Sequence, residues 1–446
     1  MLINNNTFST VSRLTNHIKN PNRCLGTLLE EIPTDIGRAK EGYNRGGWLE
    51  CSEKLRKDVT GAVVWLFGMP AFNTLGTLLC EKLLKIPMGF DYSSANTGND
   101  AIKDSVDYLL NGKTKPLKEC SLTVDTSEIK KYKDMVKGKN PEQLIKQIKR
   151  AKQITSIAAL VINCALMGVV IPKINQKITQ KKLDKQKREK TPIINTSLDD
   201  YINKTKKNKE LSFSGKLEET LNRVVYNVEN NNRFRLMSTD IPMIIGRTIT
   251  SRNIIEAFEF VAMDGGSFYF YNYSTEHIEK LLRNKTNTPN INPIAAEIIA
   301  KKDCSVIDKA IKALSKNPKR IEEIFNDKEL VFNIYKESTY GKYGKINRFT
   351  KESDLDEISS NVFSFLKKIQ TDCYKEGQLD SNLVKKTIKN INNKNAKFLL
   401  GGLLTSILGL AVIIPKLTYW LTQKITGKNT FSGITDYSDN KKVNKS

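Results

Sequence analysis

Histidine is almost missing from this 446-residue chain: His17 and His277 are the two it has, far apart. A nucleophile–histidine–acid triad or a multi-histidine metal centre therefore has too little to be built from. Seven cysteines (Cys24, Cys51, Cys80, Cys120, Cys164, Cys304, Cys373) include no C-x-x-C pair. That pattern fits reduced thiols and argues against a zinc site or a disulfide framework. The signatures G-x-x-x-x-G-K-[ST], G-x-G-x-x-G and H-E-x-x-H are also missing, so no cofactor and no metal is expected. Alternating strand patterns are scarce. The first twenty residues, MLINNNTFSTVSRLTNHIKN, contain no apolar core, so entry into a membrane has to use an internal segment.

What the chain does have is positive charge and long runs without charge. Its 72 Lys and Arg against 48 Asp and Glu leave a formal charge of +24, which suits an anionic partner, either lipid head groups or nucleic acid. Phe398–Pro415 holds no charged residue and eleven Leu, Ile, Val or Phe residues. Eighteen helical residues span about 27 Å, close to the hydrocarbon core of about 30 Å. Gly402 and Ser406 give it a small-x-x-x-small face, and Tyr419 and Trp420 follow between Lys416 and Lys424, as where a helix leaves the bilayer. Ile154–Ile171 is also uncharged and also ends on Pro-Lys, at Pro172 and Lys173, although Asn163 falls near its middle. A third stretch, Val59–Cys80, is interrupted by Pro70.

These runs belong to a wider repetition. Ile32-Pro-Thr-Asp-Ile-Gly-Arg38 returns as Ile241-Pro-Met-Ile-Ile-Gly-Arg247. Glu50, Glu53 and Asp58 are echoed by Glu256, Glu259 and Asp264, and Glu81-Lys-Leu-Leu-Lys by Glu279-Lys-Leu-Leu-Arg. An ordered series of likenesses reads as a tandem duplication of an all-α unit, each copy ending in a long helix with an apolar, span-like segment. The division is copy one at 1–190, a basic polar linker at 191–212, copy two at 213–426 and a polar tail at 427–446. Phe8-Ser-Thr, Phe213-Ser-Gly and Phe431-Ser-Gly read as remnants of the same event rather than as docking peptides.

Helix starts are legible at Asn140-Pro141-Glu142, with a cap, a first-turn proline and an acid in order. Ser353-x-x-Asp356 opens Leu355, Ile358, Val362, Phe365, Leu366 and Ile369 at helical spacing, while residues 286–293 read as a loop. Of the repeated polar residues, Arg38, Arg247, Glu50, Glu256, Asp58 and Asp264 are expected to form structural ion pairs, with Glu50 and Asp58 on one helix face reaching the arginine after the Ile-Gly turn. Lys173, Lys416, Tyr419, Trp420 and Lys424 are expected at the membrane interface. Tyr340, Lys342, Tyr343, Lys345 and Arg348 interleave rings and cations in a way that suits lipid or single-stranded nucleic acid.

The expectation is a non-enzymatic membrane protein that docks a protein partner and leans on anionic lipid. The alternative is a soluble basic helical protein on nucleic acid. Lys and Arg near the span ends put the middle region, roughly 172–397, on the cytoplasmic side of a bacterial cytoplasmic membrane. A transporter on an internal repeat ranks lower, because the apolar runs carry no ionisable residue.

Overall fold

The computed structural model describes residues 9–19, 25–88, 126–188, 232–316, 352–375 and 378–435, with single positions at 102–103, 106, 110, 224–225 and 228. These residues are mostly helical, and the sheet among them is one short antiparallel pair, β1 (Tyr374–Lys375) with β2 (Gln378–Leu379). Residues 191–212 and 340–348 lie outside this set.

Two sets of long rods occupy the centre. In the first, α2 (Leu25–Val63) runs into a π-helical turn, π1 (Val64–Gly68), and on into α3 (Met69–Leu83). Gly47 breaks α2 with φ 65° and ψ −157°, a conformation that costs a residue with a Cβ dearly. Residues 25–46 and 48–63 therefore double back, bringing Gly42 against Lys54. The third rod is α5 (Pro141–Ala165), π2 (Leu166–Val170) and α6 (Ile171–Arg188), begun by the Asn140 side chain, which accepts from the amides of Glu142 and Gln143.

The second set has the same order. After α4 (Thr126–Val136), which belongs to the first, come α7 (Asn232–Ile249), α8 (Ile254–Tyr269), π3 (Phe270–Ser274) and α9 (Thr275–Thr286). Its third rod is α13 (Ser381–Leu408), π4 (Gly409–Ile413) and α14 (Ile414–Thr426). The turn π1 begins six residues past Asp58, and π3 six residues past Asp264; π2 and π4 both sit directly before Ile-Pro-Lys.

Each set closes on the other. The first half of α2 packs on π4 and α7 packs on π2. A Cβ on Gly37 would lie 2.5 Å from the Ala411 Cβ, and one on Gly246 would lie 2.7 Å from the Gly168 Cα, so backbone meets backbone at both crossings. Proline explains why these turns need outside donors. Pro172 and Pro415 have no N–H to return to the carbonyls four and five residues earlier. The Thr250 hydroxyl donates to the Gly168 carbonyl at 3.3 Å, and Arg38 Nε donates to the Leu410 carbonyl at 3.3 Å.

Two heads with ordinary cores hang from one end of the rods. In the larger, α10 (Pro293–Ala300), α11 (Cys304–Lys316), α12 (Glu352–Cys373) and the start of α13 enclose Ile299, Ile307, Phe365, Leu366 and Ile388. In the smaller, α4 and the start of α5 enclose Tyr132, Val136, Leu144 and Ile148. The helix α1 (Thr10–Lys19) joins the larger head, where Ser12 donates to Glu297 and Asn392 donates to Ser12.

The rods reverse that pattern. Three helical stretches are long and apolar enough to cross a membrane, Leu25–Leu83, Pro141–Lys185 and Ser381–Thr426, and only 22%, 28% and 50% of their most apolar windows are buried. The stretch around Val59–Cys80 thus joins the two runs expected first. Ile36 is 62% exposed and Leu404 60%, whereas Arg38, two residues from Ile36, is 8% exposed.

Candidate functional site

Charge fills the space between the rods at two levels. Near the turns that join residues 25–46 to 48–63 and α7 to α8, two arginines and four glutamates form a closed clamp. Arg45 reaches Glu50 on its own side (2.5 Å) and Glu259 across the interface (2.5 Å). Arg252 repeats this, pairing with Glu256 (2.6 Å) and with Glu53 across (2.6 Å). Charge-assisted, bidentate pairing of this kind fixes geometry as well as contributing energy. The clamp is sealed further by the hydroxyls of Thr422 (2.9 Å) and Ser432 (2.8 Å), which donate to Glu259. The Asn253 amide donates to the Ser432 carbonyl, and the Arg252 guanidinium lies over the Phe431 ring. The tripeptide at Phe431 is thus a wedge against the clamp, a role its sequence did not disclose.

Deeper, level with Met167 of π2, lies a small cavity of about 50 Å³. Its lining comes in matched pairs from the two sets: Glu31 with Asp240, Arg38 with Arg247, Asp58 with Asp264, Trp65 with Tyr271, and Gly61 with Ser267. The pairs are alike in position and unlike in bonding. Arg247 Nη1 donates to Asp264 at 2.9 Å. Arg38 instead donates to the Ser267 hydroxyl and the Leu410 carbonyl. Asp58, its nearest counterpart to Asp264, has the adjoining Lys57 at 3.7 Å and no hydrogen bond among the described residues. Glu31 accepts from the Tyr271 hydroxyl, and Asp240 from the Asn272 amide at 3.4 Å. Arg247 Nε is buried without a partner. The lining thus sets four carboxyl groups against two guanidiniums, with the Lys57 ammonium close behind Asp58.

The sequence-derived residues divide accordingly. Arg247 pairs with Asp264, while Glu50 and Glu256 are held by Arg45 and Arg252 rather than by Arg38 and Arg247. Tyr419, placed at the interface by its neighbours, turns inward: its ring lies 3.8 Å from the Arg45 guanidinium, and Lys54 donates to its hydroxyl. The reason is phase, since Trp420 beside it takes the outward face of α14 and is 52% exposed. Lys173, Lys416 and Lys424 are exposed, Lys416 within 3.8 Å of Glu41 and Lys424 over the Trp420 ring. Tyr340, Lys342, Tyr343, Lys345 and Arg348 fall outside the described residues. Arg45, Arg252, Glu31 and Asp240 were missed. An acid seven residues before each Ile-Gly arginine (31 to 38, 240 to 247) was the available signal.

No protein-family model matches the chain, and no curated protein and no solved structure is significantly similar to it.

Proposed function

We propose that this chain is an integral membrane protein, made of two interlocked copies of one helical unit, whose charged interior passes a small hydrophilic species along the pseudo-twofold axis. The observation that carries the reading is the inversion: aliphatic side chains face outward over the length of the apolar runs, and carboxylates and guanidiniums face inward. Water as the surrounding solvent would reverse that preference by about 25 cal/mol per Å² of apolar surface. The sequence offered little reason to favour transport because the runs themselves are uncharged. Buried charge arrives instead from α2, α7 and α8, and intramembrane ionisable groups mark pathways more often than scaffolds. Three π-turns that line the cavity, through Trp65, Met167 and Tyr271, support the same reading, since such turns concentrate at functional sites. The duplication is supported by the reciprocal clamp, the matched cavity lining and the two proline-capped crossings.

A second reading has a specific observation in its favour. Thr179 accepts from Arg56, so α6 ends near the turn at Gly47, whereas Val225 packs with Leu144 and Ile148 in a head at the far end. The sequence between them, 189–223, contains no apolar run long enough to return through lipid. A soluble assembly, in which the outward faces of several copies cover one another, meets that condition.

Membrane extraction separates the two. Under the first reading the full-length protein stays in the membrane pellet through high salt and alkali and leaves it only with detergent. A monodisperse oligomer in detergent-free buffer would establish the second instead. Thiol labelling from one side at Cys304, and at a cysteine introduced at Lys133, should show both heads on the same side.

A further inference from the structure

Away from the axis, the outer surface of the second set carries an open groove of about 600 Å³, bordered by π3 and α9 and, from α13, by Thr405. It runs from Tyr269 and Phe270 past His277 to Lys280 and Asn284. Contacts with α13 fix its depth. Thr275 lies against Gly402, and Arg283 donates to Asn395 at 3.1 Å. Lys280, between those two levels, therefore stands near Lys397, the last charged residue before the apolar run of α13. From Lys280 back to Tyr269 is eleven residues. That is about 16 Å of helix, close to half of a hydrocarbon core of about 30 Å. The groove thus has the length of one leaflet, with its cation at the edge where the larger head begins and its rings at the inner end.

Three polar groups along it have no protein partner. Lys280 and the Asn284 side chain make no hydrogen bond or ion pair among the described residues, and no carboxylate lines the groove. Glu276, the acid one turn before Lys280, lies beside Lys19 and outside the lining. His277 Nδ1 bonds the Tyr269 hydroxyl at 3.2 Å, which leaves Nε2 as a second polar atom that no described residue meets. The rings hold it in place, with centroids 6.2 Å apart both from Tyr269 to Tyr273 and from Tyr273 to His277. Facing water, such groups need nothing more. Facing hydrocarbon, each is costly until something polar meets it.

The matched face of the first set lacks all of this. In the register that aligns π1 with π3, positions 269, 273, 277 and 280 correspond to Val63, Phe67, Ala71 and Thr74. The apolar wall is shared, since Leu75 is 56% exposed and its counterpart Leu281 64%. Only the second set adds the ring stack and the cation.

We propose that the groove holds one anionic glycerophospholipid, its phosphate at Lys280 and Asn284, an ester carbonyl at His277 and an acyl chain over Tyr269 and Phe270. The proposal rests on the membrane half of the reading above and not on the passage of a solute. With the Tyr269 hydroxyl donating to Nδ1, the neutral imidazole carries its proton on Nε2 and donates to the ester, about 5 Å deeper than Lys280. Charge selects the head group. A choline or ethanolamine head brings its own cation beside Lys280 and finds no carboxylate in the lining, whereas an anionic head is attracted without that conflict.

Lipid retention tests this. The full-length protein, reconstituted in vesicles of equal phosphatidylcholine and phosphatidylglycerol and released in mild detergent, should keep one phosphatidylglycerol in mass spectra of the intact protein. Lys280→Gln should lower retained phosphatidylglycerol relative to phosphatidylcholine about fivefold, the worth of one lysine near an anionic lipid surface. His277→Phe keeps a ring in the stack and should weaken both lipids alike, because the ester is common to them. Thr74→Gln, on the matched face, should change neither. Vesicle-inserted protein that keeps no lipid, keeps the two equally, or holds its preference through Lys280→Gln overturns the site and leaves the membrane reading standing. Disulfide-linked dimers of Lys280→Cys, absent from the parent, put a second copy in the groove and overturn it as well. Protein that never enters the vesicles ends the membrane reading and the lipid site together.

Discussion

The larger head and the rods are built from the same kinds of residue and turned opposite ways. In the head, Phe365, Leu366 and Ile369 are fully buried and lysines such as Lys312 and Lys368 face out. Along the rods, Leu404 and Ile36 face out while Arg45, Arg247 and Asp264 are enclosed. The helix α13 passes from one regime to the other, contributing Val384 and Ile388 to the head core and Leu400 and Leu404 to the outer surface of the rods. A single continuous helix therefore changes its apolar face from inward to outward without changing its geometry. What changes is what surrounds it, and the substitutions below are chosen to ask that question of each region.

The largest effects should come from the two interiors. Phe365→Ala opens a cavity in the head and should cost about 3–5 kcal/mol. Asp264→Ala leaves Arg247 buried without its partner and should cost a similar amount, about 3–5 kcal/mol. The two differ in how they are repaired. Adding Arg247→Leu to the Asp264 variant should recover most of the loss, because the penalty is an unpaired charge, whereas no charge removal rescues the head. Thermal unfolding of the single and double variants in detergent reads this out. An Asp264/Arg247 double variant no more stable than Asp264→Ala would mean that the pair's role is packing.

Next in size is the outer surface. Leu404→Lys places a charge where the inversion places lipid, at a cost of about 2.5–3.5 kcal/mol for insertion at the centre of a span. Thr371→Lys makes the same kind of change on the surface of the head and should stay within about 0.5 kcal/mol. Membrane yield of the two variants, measured against total expression, gives the contrast. Equal yields would erase the difference between the regions. A smaller strain is expected where backbones touch: Gly246→Ala pushes a methyl against Gly168 and should lower stability by about 1–3 kcal/mol, unless the crossing opens.

How much of this could be read from the chain follows the range of the interactions involved. The apolar runs, the start of α5 at Asn140-Pro141, the stripe ending at Ile369 and the loop at 286–293 depend on neighbours within a turn or two, and the helical character of the protein follows from them. The repeated Ile-Pro-x-x-Ile-Gly-Arg motif marked the place where α2 and α7 press on the π-turns. It did not show that each motif meets the opposite half, because nothing local distinguishes Gly37 lying against Ala411 from Gly37 lying against Gly168. The same blindness misassigned the partner of Glu50: Arg38 was the arginine within the repeated motif, while Arg45, outside it, is the one that doubling back at Gly47 delivers. The π-turns left no mark beyond the prolines that follow three of them.

The smallest effect separates the two third rods, which are alike except in how they begin. Asn140 caps α5 and Asp380 caps α13, each accepting from two amides at the helix start. Only one of those caps titrates. The amides of Leu383 and Asn382 hold the Asp380 carboxyl below the usual aspartate range, with Lys375 adding to the effect. A carboxyl with a lowered folded value contributes stability that is present above its unfolded value, about 3.9, and is lost as pH falls through the folded one. Acidification through that window should therefore loosen the first turn of α13 and leave the first turn of α5 as it was. Hydrogen exchange at Asn382 and Leu383, corrected for the intrinsic pH dependence of the chemistry, should speed up relative to Glu142 and Gln143. Asp380→Asn should remove the difference, because the amide caps as well as the carboxylate does and keeps no proton to gain. Parallel behaviour of the two helix starts in the unmodified protein would show that the rods, and not their caps, set where each helix begins.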